Sequence, residues 1–232
     1  MPPNDKHAPR AIRSYVLRAG RITPAQERAL AEHWPRFGVE FERRALDLPQ
    51  LFGRLAPCTL EIGFGNGDQL LERARSQPEH NFLGIEVHRP GIGHLLLAAA
   101  AGALGNVRVI AHDAVEVLEQ QISPACLAEV QLLFPDPWPK KRHHKRRLVQ
   151  PGFARLVAER LVSGGQLHVA TDWEPYAQEM LLVLNGCELL RNCDPQGRFT
   201  DPERTHSRPA TRFERRGERL GHKVFELLFR RT

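Results

Sequence analysis

Cysteine is scarce in this chain. Its 232 residues hold four, Cys58, Cys126, Cys187 and Cys193. None stands in a C-x-x-C pair, and no histidine cluster lies at zinc-finger spacing from them. No metal site is therefore expected, and the thiols read as buried or incidental groups of a reducing compartment. Long hydrophobic runs are missing as well, so no bilayer span and no membrane partner are expected. The stretch MPPNDKHAPR has no apolar h-region, which speaks against a secretory signal and for a cytoplasmic protein. No internal repeat is visible. A further absence bears on chemistry. The turn Gly63-Phe64-Gly65-Asn66-Gly67 lacks the third glycine of the G-x-G-x-x-G dinucleotide fingerprint, because Asp68 stands there and Gly67 comes one residue early.

What is present is a globular composition with unevenly placed charge. The hydrophobic fraction is 41% and the charged fraction 26%, enough for one sizeable core. Net charge is +6, concentrated in Lys140 to Arg147 and in Arg204 to Arg219. Basic charge gathered in two tracks favours a phosphate-rich partner. Residues 1–50 read as an N-terminal basic arm and helix, and 51–232 as the main domain. The arm, to about residue 20, carries Arg10, Arg13, Arg18 and Arg21 at its end. Thr23-Pro24-Ala25-Gln26 has the form of a capping box with proline in the first turn, and the helix should stop before Pro35. A linker through Leu48-Pro49 follows.

From Cys58 onward strands and helices alternate. Strands are expected at Cys58 to Ile62, Asn81 to Val87, Val107 to Ala111, Val130 to Phe134 and Gln166 to Thr171. Helices are expected at Asp68 to Ser76, Ile92 to Gly102, Ala114 to Gln121, Pro151 to about Leu161 and Tyr176 to Leu184. Gly164-Gly165 is the expected stop of the fourth of these helices. Two last strands should lie near Cys187 to Cys193 and Lys223 to Arg230. Such alternation predicts an α/β fold, a parallel sheet covered by helices on both faces. Sheets of this kind bind ligands beyond the carboxyl ends of their strands. The chemistry-bearing residues fall there: Gly63 to Gly67, Glu86, Asp113, Asp136 and Asp172.

Glycines such as Gly63 and Gly65 let the backbone approach a ligand. Glu61, just before them, would repel a pyrophosphate but can pair with the ammonium of an amino-acid moiety. Glu86 ends the second strand, where an acid accepts hydrogen bonds from ribose hydroxyls. Asp113 can reach an adenine amino group, although a helix cap is an equally simple role for it. Together they trace a site for adenosine joined to a cationic amino acid, and the cofactor that fits is S-adenosyl-L-methionine. The stretch QLLFPDPWPKKRHHKRR, Gln131 to Arg147, then sets Asp136 in a stiff turn between Pro135 and Pro137, beside a basic run.

The motifs LEIGFGNGDQLLERA, FLGIEVHRPGI, AHDAVEVL, LFPDPWPKKRHHKRR, GGQLHVATDWEPYA and RPATRFERRG resemble those of the bacterial tRNA (guanine-N7)-methyltransferase family, as does RSYVLRAGRITPAQERAL near the N-terminus. The likeness spans nearly the whole chain, and FPDPWPKKRHHKRR is its most specific part. It implies a Rossmann-like class I S-adenosylmethionine-dependent methyltransferase fold, with a mostly parallel seven-stranded sheet, over residues 51–232. It implies methyl transfer to N7 of guanine 46 in the variable loop of tRNA. Glu61, Glu86, Asp113 and Asp136 match the family's cofactor-binding acids, and Asp136 its proposed catalytic position. Lys140, Asp172, Thr211, Arg212, Phe213 and Glu214 match substrate-contacting residues. Arg142, His143, His144, Lys145, Arg146 and Arg147 match the segment proposed to touch RNA. Two departures stand out: Pro139 where relatives often have His, and Arg212 where many have Lys.

Guanine N7 carries a lone pair and no proton, so alkylation there needs alignment and exclusion of water rather than a general base. Asp136 is expected to orient the reactants and to favour the positive charge passing to the base. Asp172 is placed to accept from guanine N1–H and N2–H, and the two acids can exchange these roles. Trp138 either packs at the cofactor pocket, stacks on a base or is a hydrophobic anchor. His143 and His144 are adjacent and do not share a helix face, so they are not read as metal ligands. Thr205 to Glu218 is expected to be a loop that closes over the target base. The alternatives are a methyltransferase for another RNA guanine or a small molecule, and a non-catalytic RNA-binding relative. A nicotinamide dehydrogenase is disfavoured by the glycine spacing. A monomer or homodimer is expected.

Overall fold

Helix α1, Pro24–Glu32, begins with the expected capping box: the Thr23 hydroxyl accepts from the Gln26 N–H at 3.2 Å, and the Gln26 side chain accepts from the Thr23 N–H at 2.9 Å. The computed structural model describes residues 13–15, 20–201, 214 and 223–232. Helix α1 stops before Pro35 as expected, and Pro35 sits in the first turn of a second short helix, α2, Trp34–Phe37, where proline is tolerated. One expectation fails here. Leu48-Pro49 is no linker. It starts helix α3, Leu48–Phe52, capped by the Asp47 carboxylate and stopped by Gly53 at φ 69°. The boundary expected between residues 50 and 51 falls inside this helix.

The alternating elements follow. Strand β1, Gly38–Val39, precedes α3. After α3 come β2 (Cys58–Ile62), α4 (Asp68–Ser76), β3 (Asn81–Ile85), α5 (Arg89–Ala101), β4 (Val107–Ile110), α6 (Ala114–Gln120), β5 (Leu127–Leu133), α7 (Pro151–Arg160), β6 (Leu161–Thr171), α8 (Glu174–Asn185), β7 (Leu190–Asn192) and β8 (Phe225–Arg231). Sheet order is β1-β4-β3-β2-β5-β6-β8-β7. Pairing is parallel from β1 through β6, whereas β8 lies antiparallel between β6 and β7. The expected α/β architecture therefore holds. The described sheet has one strand more than the expected seven, because two residues of the N-terminal region pair with β4.

Gly164-Gly165 is not a helix stop. Helix α7 ends at Arg160 and β6 begins at once, with Gly164 at φ 76° inside the strand. Pairing with β5 there jumps from Leu127–Leu161 to Glu129–Gln166, so the glycines serve a bulge.

Strands β2 and β3 are buried along their whole length, as central parallel strands must be. One apolar cluster joins Leu60, Ile62, Val130, Leu132, Leu167, Val169 and Leu227 to helices α3, α6, α7 and α8. A second joins Phe82, Val107 and Val109 to α1, α2, α4 and α5. Ala29 and Phe37 belong to the second and Val39, Leu48 and Phe52 to the first, so the N-terminal elements pack on the same sheet. Among the described residues no helix is long and apolar enough to cross a membrane. The chain leaves β2 toward β3 on one side and reaches β5 on the other. The topological switch therefore opens between β2 and β5, where Gly63 and Phe134 follow their strands.

Candidate active site

The glycine turn after β2 takes left-handed backbone at Gly63 (φ 72°), Gly65 (φ 60°) and Gly67 (φ 78°). Their surroundings differ. A Cβ on Gly63 or Gly65 would meet nothing within 4 Å, whereas one on Gly67 would lie 2.4 Å from Leu95 Cδ1. Gly63 and Gly65 thus border open space at the switch point, and Gly67 lets α4 pack on α5. Gly91 adds a second close approach, since a Cβ there would lie 2.0 Å from the Gly65 carbonyl oxygen.

Glu86, directly after β3, braces this turn. Its Oε2 accepts from the Gly65 N–H at 2.8 Å, and its Oε1 from the N–H groups of Val87 and His88 at 2.7 and 2.9 Å. A carboxylate has about four acceptor sites, so it can shape the turn and still take a ligand hydroxyl. Asp113 caps α6 through Oδ1, which accepts from Val115 N–H at 2.9 Å and Glu116 N–H at 3.3 Å. Both readings of Asp113 are compatible, since the cap uses one oxygen. Tyr15 lies in its field: burial first, then the Asp113 charge, pushes the phenol above its ordinary value. Glu61 is buried in β2, in register with Gln131 of β5 and, one strand further, His168 of β6.

That row belongs to a polar face that sequence reading missed. Arg73 of α4 pairs with Glu129 at 2.7 Å, and Gln131 donates to the same carboxylate at 2.6 Å. Burial raises the Glu129 carboxyl, yet the bonds and charge of Arg73 outweigh it and hold the group below its ordinary range. His168 and Glu226 meet at 2.6 Å, both buried. Polar residues at every second position of β5, Glu129 and Gln131, were the available signal.

Past β5 the chain turns sharply. Phe134 and Trp138 both take positive φ, 52° and 46°, with Pro135-Asp136-Pro137 between them. Asp136 is exposed and has no hydrogen-bond partner among the described residues. Asp172, after the neighbouring β6, is exposed too and just precedes α8. The basic run continues as a 3₁₀ helix, Lys141–Arg146. Lys140, Arg142 and Lys145 are exposed, and His143, His144 and Arg146 are half-buried. Partial burial, then the charges of Arg142, Arg146, Lys140 and Lys145, push the His143 imidazole below its ordinary value. Trp138 is an anchor. Its indole N–H donates to the Ser14 carbonyl at 3.1 Å, Arg146 lies over its ring at 4.8 Å, and His143 meets it edge-on at 5.8 Å.

Arg147 departs from the expected RNA track. It is 3% exposed, with its guanidinium paired to Glu179 and bonded to the Pro137 carbonyl. Thr211, Arg212 and Phe213 lie outside the described residues, as do most of Thr205 to Glu218 and of the arm before Pro24. Glu214 is described and buried. Among the described residues no group of three or more His, Cys, Asp and Glu could hold a metal ion. Burial pushes the Cys58 thiol up to about 12 and that of Cys126 to about 11, which fits inert thiols.

Fold and site together define a class. The chain shares its fold with the 16S rRNA methyltransferase KamB (TM-score 0.59, 19% identity, 82% of this chain and 95% of that one). It shares it also with the antibiotic-resistance methyltransferase Kmr (TM-score 0.54, 14% identity, 85% and 98%). A family model described as "Putative methyltransferase" matches residues 55–227. Sequence relatives narrow this. The chain is 56% identical over 224 residues to the tRNA (guanine-N(7)-)-methyltransferase of Methylococcus capsulatus, covering 97% of this chain and 96% of that protein. It is 54% identical over 223 residues to the enzyme of the same name from Cronobacter sakazakii, covering 96% and 92%. The chain belongs to the tRNA (guanine-N7)-methyltransferase family.

Proposed function

We propose that this protein transfers a methyl group from S-adenosyl-L-methionine to N7 of guanine 46 in the variable loop of tRNA. One observation carries the reading. Two exposed carboxylates, Asp136 and Asp172, follow the adjacent parallel strands β5 and β6 on the same side of the sheet as the open Gly63–Gly65 turn after β2, and a basic 3₁₀ helix starts five residues past Asp136.

The residues present suit the cofactor. Gly63 and Gly65 offer backbone beside open space, Glu86 suits ribose hydroxyls, and the second oxygen of Asp113 suits an exocyclic amine. Glu61 and Asp136 are the acids for the cationic amino-acid end. When bound, S-adenosylmethionine supplies an electrophilic methyl on a sulfonium. Asp136 holds the guanine ring in line and stabilises the positive charge that builds on it. Asp172 accepts from N1–H and N2–H, which adenine lacks in that arrangement. Lys140, Arg142 and Lys145 grip phosphates, with His143, His144 and Arg146 at their margin. Thr211, Arg212, Phe213 and Glu214 complete the substrate contacts. A cytoplasmic place of action fits a tRNA substrate and four unpaired cysteines.

The test is methylation of an unmodified tRNA transcript by purified protein, followed by borohydride and aniline cleavage at 7-methylguanosine. One cut at position 46 is expected, lost when that guanine is replaced by adenine. Incorporation elsewhere, or none, would overturn the assignment.

A further inference from the structure

The turn that presents Asp136 is strained at both ends. Phe134 and Trp138 are bulky residues in left-handed backbone, which costs on the order of 1 kcal/mol or more each. Such conformations persist only where the surroundings over-determine them. The two ends are tied, Phe134 by its N–H to the Ala170 carbonyl at 2.8 Å and Trp138 by its indole N–H to the Ser14 carbonyl at 3.1 Å, but Pro135, Pro137 and Pro139 carry no N–H to hold the stretch they share. Among the described residues, one hydrogen bond is accepted by the backbone from Pro135 to Pro139. It runs from Arg147 Nε to the Pro137 carbonyl at 2.9 Å.

Arg147 is itself fixed from the far side. Its Nη1 pairs with Glu179 of α8, and its guanidinium lies 4.8 Å over the ring of Tyr176, also of α8. The Tyr176 hydroxyl accepts from the Val149 N–H at 3.1 Å, which ties the chain after Arg147 to the same helix. Desolvation pushes that phenol up to about 12, outweighing the lowering by the Val149 N–H bond and the Arg147 charge. Helix α8 follows Asp172 after a single residue, Trp173. One planar cation therefore joins the turn carrying Asp136 to the helix that Asp172 precedes. An exposed cation can serve a phosphate; this one is buried, with its Nε and Nη1 bonded within the protein.

We infer that Arg147 is a positioning residue that sets the placement of Asp136 relative to Asp172, with Glu179 and Tyr176 as its seat. The inference rests on the reading of Asp136 and Asp172 as the acids that align guanine. Lysine cannot replace it, since a point donor does not reproduce the fork that serves Pro137 and Glu179 at once.

The experiment compares Arg147→Lys, Arg147→Met and Glu179→Gln with wild type. Single-turnover methylation is measured at saturating tRNA and S-adenosylmethionine, and tRNA affinity across a salt series. Arg147→Lys and Glu179→Gln are expected to lose roughly 10- to 100-fold in the saturated rate, the scale of a small misplacement of reacting groups. The salt slope of tRNA binding should not change. If Arg147→Met fails to fold, the other two variants carry the test. A wild-type rate for Arg147→Lys overturns the inference. So does a salt slope that falls by about 1, the mark of a lost phosphate contact. Asp136→Ala is run in parallel. If it loses rate and Arg147→Lys does not, the clamp alone is wrong. If Asp136→Ala keeps the wild-type rate, the reading of Asp136 fails, and the clamp with it.

Discussion

Three side chains of one short stretch end in different surroundings. Asp136 faces solvent, Trp138 is wedged between Ser14 and Arg146, and Arg147 is buried against α8. Sequence shows the residue types but not these fates, because a one-residue change of direction exchanges solvent for core. His143 is the residue whose surroundings are most readily measured. With partial burial and four cations around it, its imidazole should titrate below the ordinary 6.5 in the free protein. Phosphates brought to Arg142 and Lys145 would favour the protonated ring, so titration should move upward on tRNA binding. Binding then takes up a proton, and affinity rises as pH falls through the interval between the free and bound values. NMR titration of the ring with and without tRNA checks this; an unmoved midpoint would remove His143 from the phosphate track.

Elements bounded by strong local signals match their sequence reading closely. Strand Cys58–Ile62 and helix Asp68–Ser76 lie where expected, since a glycine turn punctuates one end of each. Elements decided by distant partners do not. Gly164-Gly165 became a bulge because β6 had a neighbour to follow, and Leu48-Pro49 became a helix because Leu48 and Phe52 had a core to enter. The glycines of the site turn separate two roles at this scale. Gly67→Ala forces a Cβ to 2.4 Å from buried Leu95 in left-handed backbone, and should cost about 2–4 kcal/mol in a urea melt. Gly63→Ala meets no atom and should cost about 1 kcal/mol. Equal losses at the two positions would contradict the open space assigned to Gly63.

Across the whole molecule, charge and topology point to the same edge. The exposed cations Lys140, Lys141, Arg142 and Lys145 sit beyond the strand carboxyl ends that carry the acids, so a polyanion drawn to them meets the open turn. If about three of them neutralise phosphates, tRNA affinity should fall roughly 20- to 40-fold between 50 and 200 mM salt. Filter binding across that range tests it, and a flat profile would deny the track its partner. The polar face of β5 and β6 works at the same scale. It buries Glu129 with Arg73 and His168 with Glu226 beneath the site, in place of an apolar layer.

Periodicity, glycine and proline placement, and the strand-end acids were enough to specify an alternating α/β chain with its chemistry at one sheet edge. These signals are local, and each is written within a few residues. Tertiary structure alone decided that β1 joins β4, that Glu61 aligns with Gln131 and His168, and that Arg147 turns inward. The reason is physical. Each depends on which distant group reaches the same buried space, and the Arg147 pair with Glu179 spans 32 positions of chain that no short-range pattern records.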